Sequence, residues 1–153
     1  MAREYTFHGD ADIGTADLRA FVTSVTGAPV NADGAVVTEG MYITAYRQDD
    51  EEGDRTAALG FREIATIGFR FYSNTGENVQ GRSVALMVST VLAYFHTFGG
   101  SGVLLFNFEE ITLQRLDDEI EIDRDWRDEW LQLPEAASVV APFPARALPQ
   151  PLL

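Results

Sequence analysis

Between Val103 and Trp130 the chain reads VLLFNFEEITLQRLDDEIEIDRDWRDEW, and this stretch narrows the folds open to it. Val103–Phe108 is apolar on both faces, as an inner strand should be. Thr112–Leu116 and Glu119–Ile122 then alternate on either side of Asp117-Asp118, which predicts a hairpin. In its second strand Ile120 and Ile122 face inward, while Glu119, Glu121 and Asp123 face out at a spacing of about 6.6 Å. Trp126 and Trp130 are four residues apart, share one side of a short helix, and clamp that helix to the sheet. An inner strand, a one-sided hairpin and an amphipathic helix in succession describe a sheet with helices on it.

The same stretch is strongly charged. Ten carboxylates lie between Glu109 and Glu129 against three arginines, a net charge of −7 within a chain of −13. A field of that size on a small protein calls for a basic partner. A pI near 4.3 makes nucleic acid and anionic membranes poor partners, because phosphate contacts need a basic surface. All eleven basic residues are arginine, so Schiff-base and phosphate-loop lysine chemistry is excluded.

The 153 residues suffice for one domain with a sizeable core, which ten Phe, five Tyr and two Trp would fill. No cysteine is present, in keeping with a cytoplasmic protein without disulfides or thiolate-bound zinc. MAREYTFHGD lacks the apolar stretch of a signal peptide, and no run is long enough to span a membrane.

Along the rest of the chain, Glu4–His8 alternates as a strand. Thr15 is the expected N-cap of a helix whose stripe is Leu18, Phe21, Val22 and Val25, and which Gly27 ends. Strand-like runs follow at Ala35–Thr38, Met41–Arg47, Ala57–Phe61 and Thr66–Tyr72, with QDDEEGDR (Gln48–Arg55) as a hairpin loop. A second, central helix is read from Val84, Met87, Val88, Val91, Phe95 and Phe98 on one face, widened by Leu86, Leu92 and Tyr94 and stopped by Gly99-Gly100. From Pro134 the chain carries five of its six prolines and reads as an extended tail with apolar residues Phe143, Leu148, Leu152 and Leu153. The expected architecture is an α+β two-layer sandwich. A mostly antiparallel sheet of six or seven strands carries two main helices on one face and a short C-terminal helix, with a domain at 1–133 and a tail at 134–153.

Catalytic motifs fail on inspection. His8 and His96 are far apart and read as structural, so zinc sites of ordinary ligand type are excluded. Gly99-Gly100-Ser101-Gly102 runs from helix to strand, the reverse of a phosphate loop, and Val103 stands where a nucleophile elbow needs Gly. The acids from Asp117 place Ile122 and Asp128 where a calcium loop needs Gly and Glu. Glu109 and Glu110 are adjacent on an extended chain and point apart. No cofactor is expected, and the chain does not read as an enzyme.

The order of an aromatic strand Ile67–Phe71, a long helix, a strand with Asn107 and Glu109, Leu113-x-Arg115, an acidic turn, two alternating isoleucines and two tryptophans resembles the Sit-type bacterial immunity proteins. The resemblance covers roughly Thr66–Trp130. Two positions depart from the family pattern: Asp117-Asp118 where the turn tends to be Asp-Gly, and Asn107-Phe108-Glu109 where Asn is commonly followed by Gly-Glu. Such proteins protect a cell from a toxin exchanged between neighbours, so the resemblance implies a cognate protein toxin as partner. The contact would fall on Asp117, Asp118, Glu119, Glu121, Asp123 and Trp126, with Tyr46 as a further aromatic anchor. The competing reading is a small α+β enzyme or ligand-binding domain with an anion pocket between the central helix and the sheet, lined by Arg62 and Arg70.

Overall fold

A computed structural model describes residues 3–48 and 56–150. The chain begins with strand β1 (Arg3–Gly9), helix α1 (Thr15–Thr26), strands β2 (Ala35–Val37) and β3 (Met41–Arg47), a 3₁₀ turn (Ala57–Leu59) and strand β4 (Ala65–Phe71). The long helix α2 (Glu77–Phe98) leads into β5 (Gly102–Phe106), β6 (Glu110–Leu116) and β7 (Glu119–Asp123). Helices α3 (Arg124–Leu131) and α4 (Pro134–Val140) and the two-residue strand β8 (Ala145–Arg146) follow. Among the described residues the strands form one sheet in the order β2-β3-β4-β1-β5-β6-β7-β8. Its neighbours are antiparallel throughout except for β7 and β8. The fold is α+β, as the sequence predicts, with one or two strands more than expected.

Strand alternation sends two sets of side chains to opposite faces. Tyr5 and Phe7, Met41 and Ile43, Ile67 and Phe69, and Leu104, Leu113 and Ile122 form one continuous core. Leu18 and Val22 of α1, the expected stripe of α2, Trp126 and Trp130 of α3, and Ala136 and Val140 of α4 join the same core, so all four helices cover a single face. The opposite face holds a smaller cluster of Val103, Leu105, Ile111 and Leu148, with Leu59 and Phe61 against it.

Two opposed glycines set how closely the central helix approaches the sheet. Gly9 of β1 pairs with Gly102 of β5 under the end of α2. A Cβ on Gly9 would lie 2.3 Å from the Tyr94 hydroxyl, and one on Gly102 would lie 2.7–2.8 Å from the rings of Phe7 and Phe95. The missing side chains let Tyr94 pack edge-on to Phe7, ring centroids 4.7 Å apart, while its hydroxyl accepts from Ala11 N at 2.9 Å.

Four local expectations change. Ala57–Phe61 is a 3₁₀ turn and not a strand, because Gly60 turns the chain with φ +88° and the Thr56 hydroxyl donates to Phe61 O at 2.9 Å. Gly14, not Thr15, occupies the N-cap of α1, and Thr15 Oγ1 instead accepts from Arg47 N at 3.0 Å. The strand read to Phe108 ends at Phe106, with Asn107 and Phe108 in a turn. The segment from Pro134, expected to be extended, opens with α4 and then pairs β8 beside β7. Pro134 sits at the first helical positions, where its missing N–H leaves no bond unmade. Asp49–Arg55 of the charged loop, Leu152 and Leu153 lie outside the described residues.

Replacing Gly9 with Ala would push the Tyr94 ring out of place, and a loss of about 1–3 kcal/mol is expected in denaturant unfolding. Burial also raises the Tyr5 and Tyr94 hydroxyls to about 12. Their contribution to stability is complete below the ordinary phenol value near 10 and lost as pH rises through about 12. Thermal melts across pH 9–12, followed together with phenolate absorbance, should show unfolding coincide with ionisation of these two groups.

Candidate functional site

The acidic hairpin is built as the pattern predicts. Leu116 pairs with Glu119, which leaves a two-residue loop in which Asp117 and Asp118 have φ of +56° and +66°. Two positive φ angles match the twist of the flanking strands, and short polar side chains tolerate them. Arg115 anchors this turn: it donates to Gly100 O at 2.8 Å, lies over the Phe95 ring, and approaches Asp118 at 3.4 Å.

The six residues marked by the sequence do not form one surface. Asp117, Asp118 and Glu119 are exposed at the turn. Glu121, on the same strand face, is paired by the Arg146 guanidinium through both Nε and Nη2 and contacted by Gln114. That pairing holds its carboxyl below the usual carboxylate range. Asp123 is buried, and its oxygens accept from Trp126 N at 3.4 Å, Leu148 N at 3.0 Å and Gln150 Nε2 at 3.4 Å. It caps α3 and fastens the C-terminal segment. Trp126 is 7% exposed and packs at a tilt between the rings of Phe106 and Trp130, so its main role is core packing. The outward row of three acids read from the alternation therefore reduces to Glu119. The segment after α4 folds back over the other two, and no periodicity in β7 announces it.

At the other end of β6 a second acidic surface appears. Glu110, Asp125, Trp126, Glu129, Leu148 and Gln150 line a groove of about 330 Å³. Trp126 Nε1 donates to Glu110, and Arg3 lies over the rings of Phe106 and Trp126 while reaching Glu129 at 3.3 Å. The three-residue connection from β5 into β6 exposes Phe108, two residues before Glu110 of this groove.

The two arginines of the anion-pocket reading do not converge. Arg70 is exposed near the end of β4, beside Tyr42 and Tyr72 in an open depression. Arg62 precedes β4, outside any strand, at the end opposite to Arg70, and the strand between Ala65 and Arg70 alone spans about 16 Å. The space between α2 and the sheet that such a pocket needs is filled by Ile67, Phe69 and Tyr94, all fully buried. His8, expected to be structural, is buried on the face away from the helices, with Nδ1 2.7 Å from Glu63 Oε2 and 3.3 Å from Thr66 Oγ1. His96 is exposed in the last turn of α2. No group of metal-ligating side chains occurs among the described residues, and no helix there is long and apolar enough to cross a membrane.

These features define a helix-backed α+β protein that uses part of its acid to dock its own elements and presents the remainder at a turn and in a groove. A family model for SitI3-like proteins matches residues 3–131. The chain belongs to the SitI3-like family, which points to the Sit-type immunity proteins. The match extends the resemblance from Thr66–Trp130 back to Arg3. No curated protein and no solved structure matches the chain.

Asp123→Ala should lower stability by about 1–3 kcal/mol, because it removes the α3 cap and leaves two backbone donors without their acceptor. The Glu121–Arg146 pair should hold β8 in place at neutral pH. Glu121 is depressed, so its contribution is present above the ordinary carboxylate value and lost as pH falls through its lowered one. Hydrogen exchange at Ala145–Leu148 should accelerate at acidic pH before the sheet opens, and Arg146→Ala should produce the same acceleration at neutral pH.

Proposed function

We propose that this protein is an immunity protein that acts in the cytoplasm, binds a basic toxin exchanged between neighbouring cells, and neutralises it by covering its active cleft. Membership of the SitI3-like family carries the reading. The surplus of acid supports a basic partner: the chain is −13 overall, and Asp117, Asp118 and Glu119 stand free of the core. In this reading the protein works by binding, with no cofactor and no reaction of its own.

Charge of this kind acts before contact. Exposed acids on one molecule and bases on the other raise the encounter rate toward about 10⁸ M⁻¹s⁻¹ at low salt and lose that effect as salt screens them. Short-range packing then decides how long the complex lasts.

The test is capture of the product of the adjacent gene, as a catalytically inactive variant, by the purified protein at low and high salt. A one-to-one complex whose association slows with salt supports the proposal; a folded sample that captures nothing overturns it. Within such a complex, Asp117→Asn, Asp118→Asn and Glu119→Gln together should slow association at low salt several-fold with the melting temperature nearly unchanged. Association at the wild-type rate would show that these three acids do not steer the partner.

A further inference from the structure

The turn between β5 and β6 presents Phe108 in a way the fold itself does not require. It is the most exposed large apolar side chain among the described residues, at 46%, and it has φ +67° next to Asn107 at φ +50°. The four other exposed large apolar residues, Val30, Val37, Tyr46 and Tyr72, have ordinary backbone angles. A bulky residue with positive φ crowds its own carbonyl, which glycine would avoid, and an exposed ring gains little from burial in return. Neither folding nor solubility accounts for phenylalanine at this position.

Its surroundings indicate what it meets. Phe108 is two residues from Glu110 and two from Phe106, within about 7 Å of chain in each direction. Phe106 packs at a tilt against Trp126 with ring centroids 4.9 Å apart, and Trp126 and Glu110 line the acidic groove. An exposed aromatic thus lies two residues along the chain from a groove with an indole wall, rimmed by Glu110, Asp125 and Glu129. Aromatic anchors next to charged clefts are where binding energy concentrates.

From this juxtaposition we infer that Phe108 and the groove near it form the contact surface for the basic toxin, with the ring entering an apolar depression and a partner arginine or lysine meeting Asp125 at the rim, next to the Trp126 and Glu129 that Arg3 already covers. The inference rests on the immunity reading above. It separates two roles: the Asp117–Glu119 turn, at the opposite end of β6, steers the partner by charge, and the Phe108 end holds it.

The experiment measures dissociation rate and melting temperature for Phe108→Gly and Phe108→Asn, using the adjacent gene's product in inactive form as the probe. Both substitutions suit a positive φ, so the melting temperature should be unchanged or higher while affinity falls about 10-fold or more, mainly through faster dissociation. Asp125→Asn with Glu129→Gln should also weaken the complex. Wild-type affinity in both Phe108 variants would place the contact elsewhere and leave the immunity reading standing. Weakened binding together with a lowered melting temperature in both would assign Phe108 to folding and overturn the inference. A folded wild-type protein that does not bind the probe would overturn the inference and the immunity reading together.

Discussion

Tyr5 is the point on which the acidic end of the molecule is assembled. It lies in the central strand, fully buried, with its ring in contact with Phe71, Phe106, Trp126 and Trp130 at centroid distances of 5.1–6.4 Å. Those four rings belong to β4, β5 and α3, so a single side chain joins the middle of the sheet to the helix that follows the hairpin. Aromatic pairs in such edge and offset arrangements add about 0.5–1.5 kcal/mol each beyond their buried area. The wall of the groove, the position of Glu110 against Trp126, and the place where β5 turns into β6 all follow from this seam.

Burial on one side governs the electrostatics. All four helices occupy one face, so half of every strand is committed to the core and the acids fall on the other half or on helix surfaces. The returning C-terminal segment then divides those acids again. Asp123 is drawn inside as a cap and clasp, and Glu121 is neutralised by Arg146. Two groups of acids remain toward solvent at opposite ends of β6: the Asp117–Glu119 turn, where Arg115 reaches Asp118, and the groove, where Arg3 reaches Glu129. A chain whose outward acid all lay in one row would engage a partner by charge alone. Here one acidic end is flanked by aromatics and the other is not.

The long-range plan was legible because it is written in periodicity. The 3.6-residue stripe of α2, the two-residue alternation of β6 and β7, and the spacing of Trp126 and Trp130 predict elements that the structure contains, and the turn at Asp117-Asp118 falls where it should. Expectations failed where tertiary contacts override local pattern. Ala57–Phe61 has strand composition, yet Gly60 and the Thr56 bond curl it into a 3₁₀ turn. The prolines after Leu133 suggested an extended tail, but Pro134 starts a helix and Ala145-Arg146 finds an edge of the sheet. Because that segment folds back, the alternation that places Asp123 outward is true of the strand and false of the molecule. The exposure of Phe108 is hidden for a related reason: in sequence it continues an apolar strand, and only the backbone shows it turned out at the tip.

The proposed function is that of a protein recognised by a basic toxin, and the most direct check is protection itself. Growth should be measured for cells that produce the active product of the adjacent gene, with and without this chain at equal levels. Immunity predicts that growth stops without the chain and is restored with it, and that a mildly destabilised but folded variant still restores it. Arrested growth in the presence of abundant, folded protein would contradict the account.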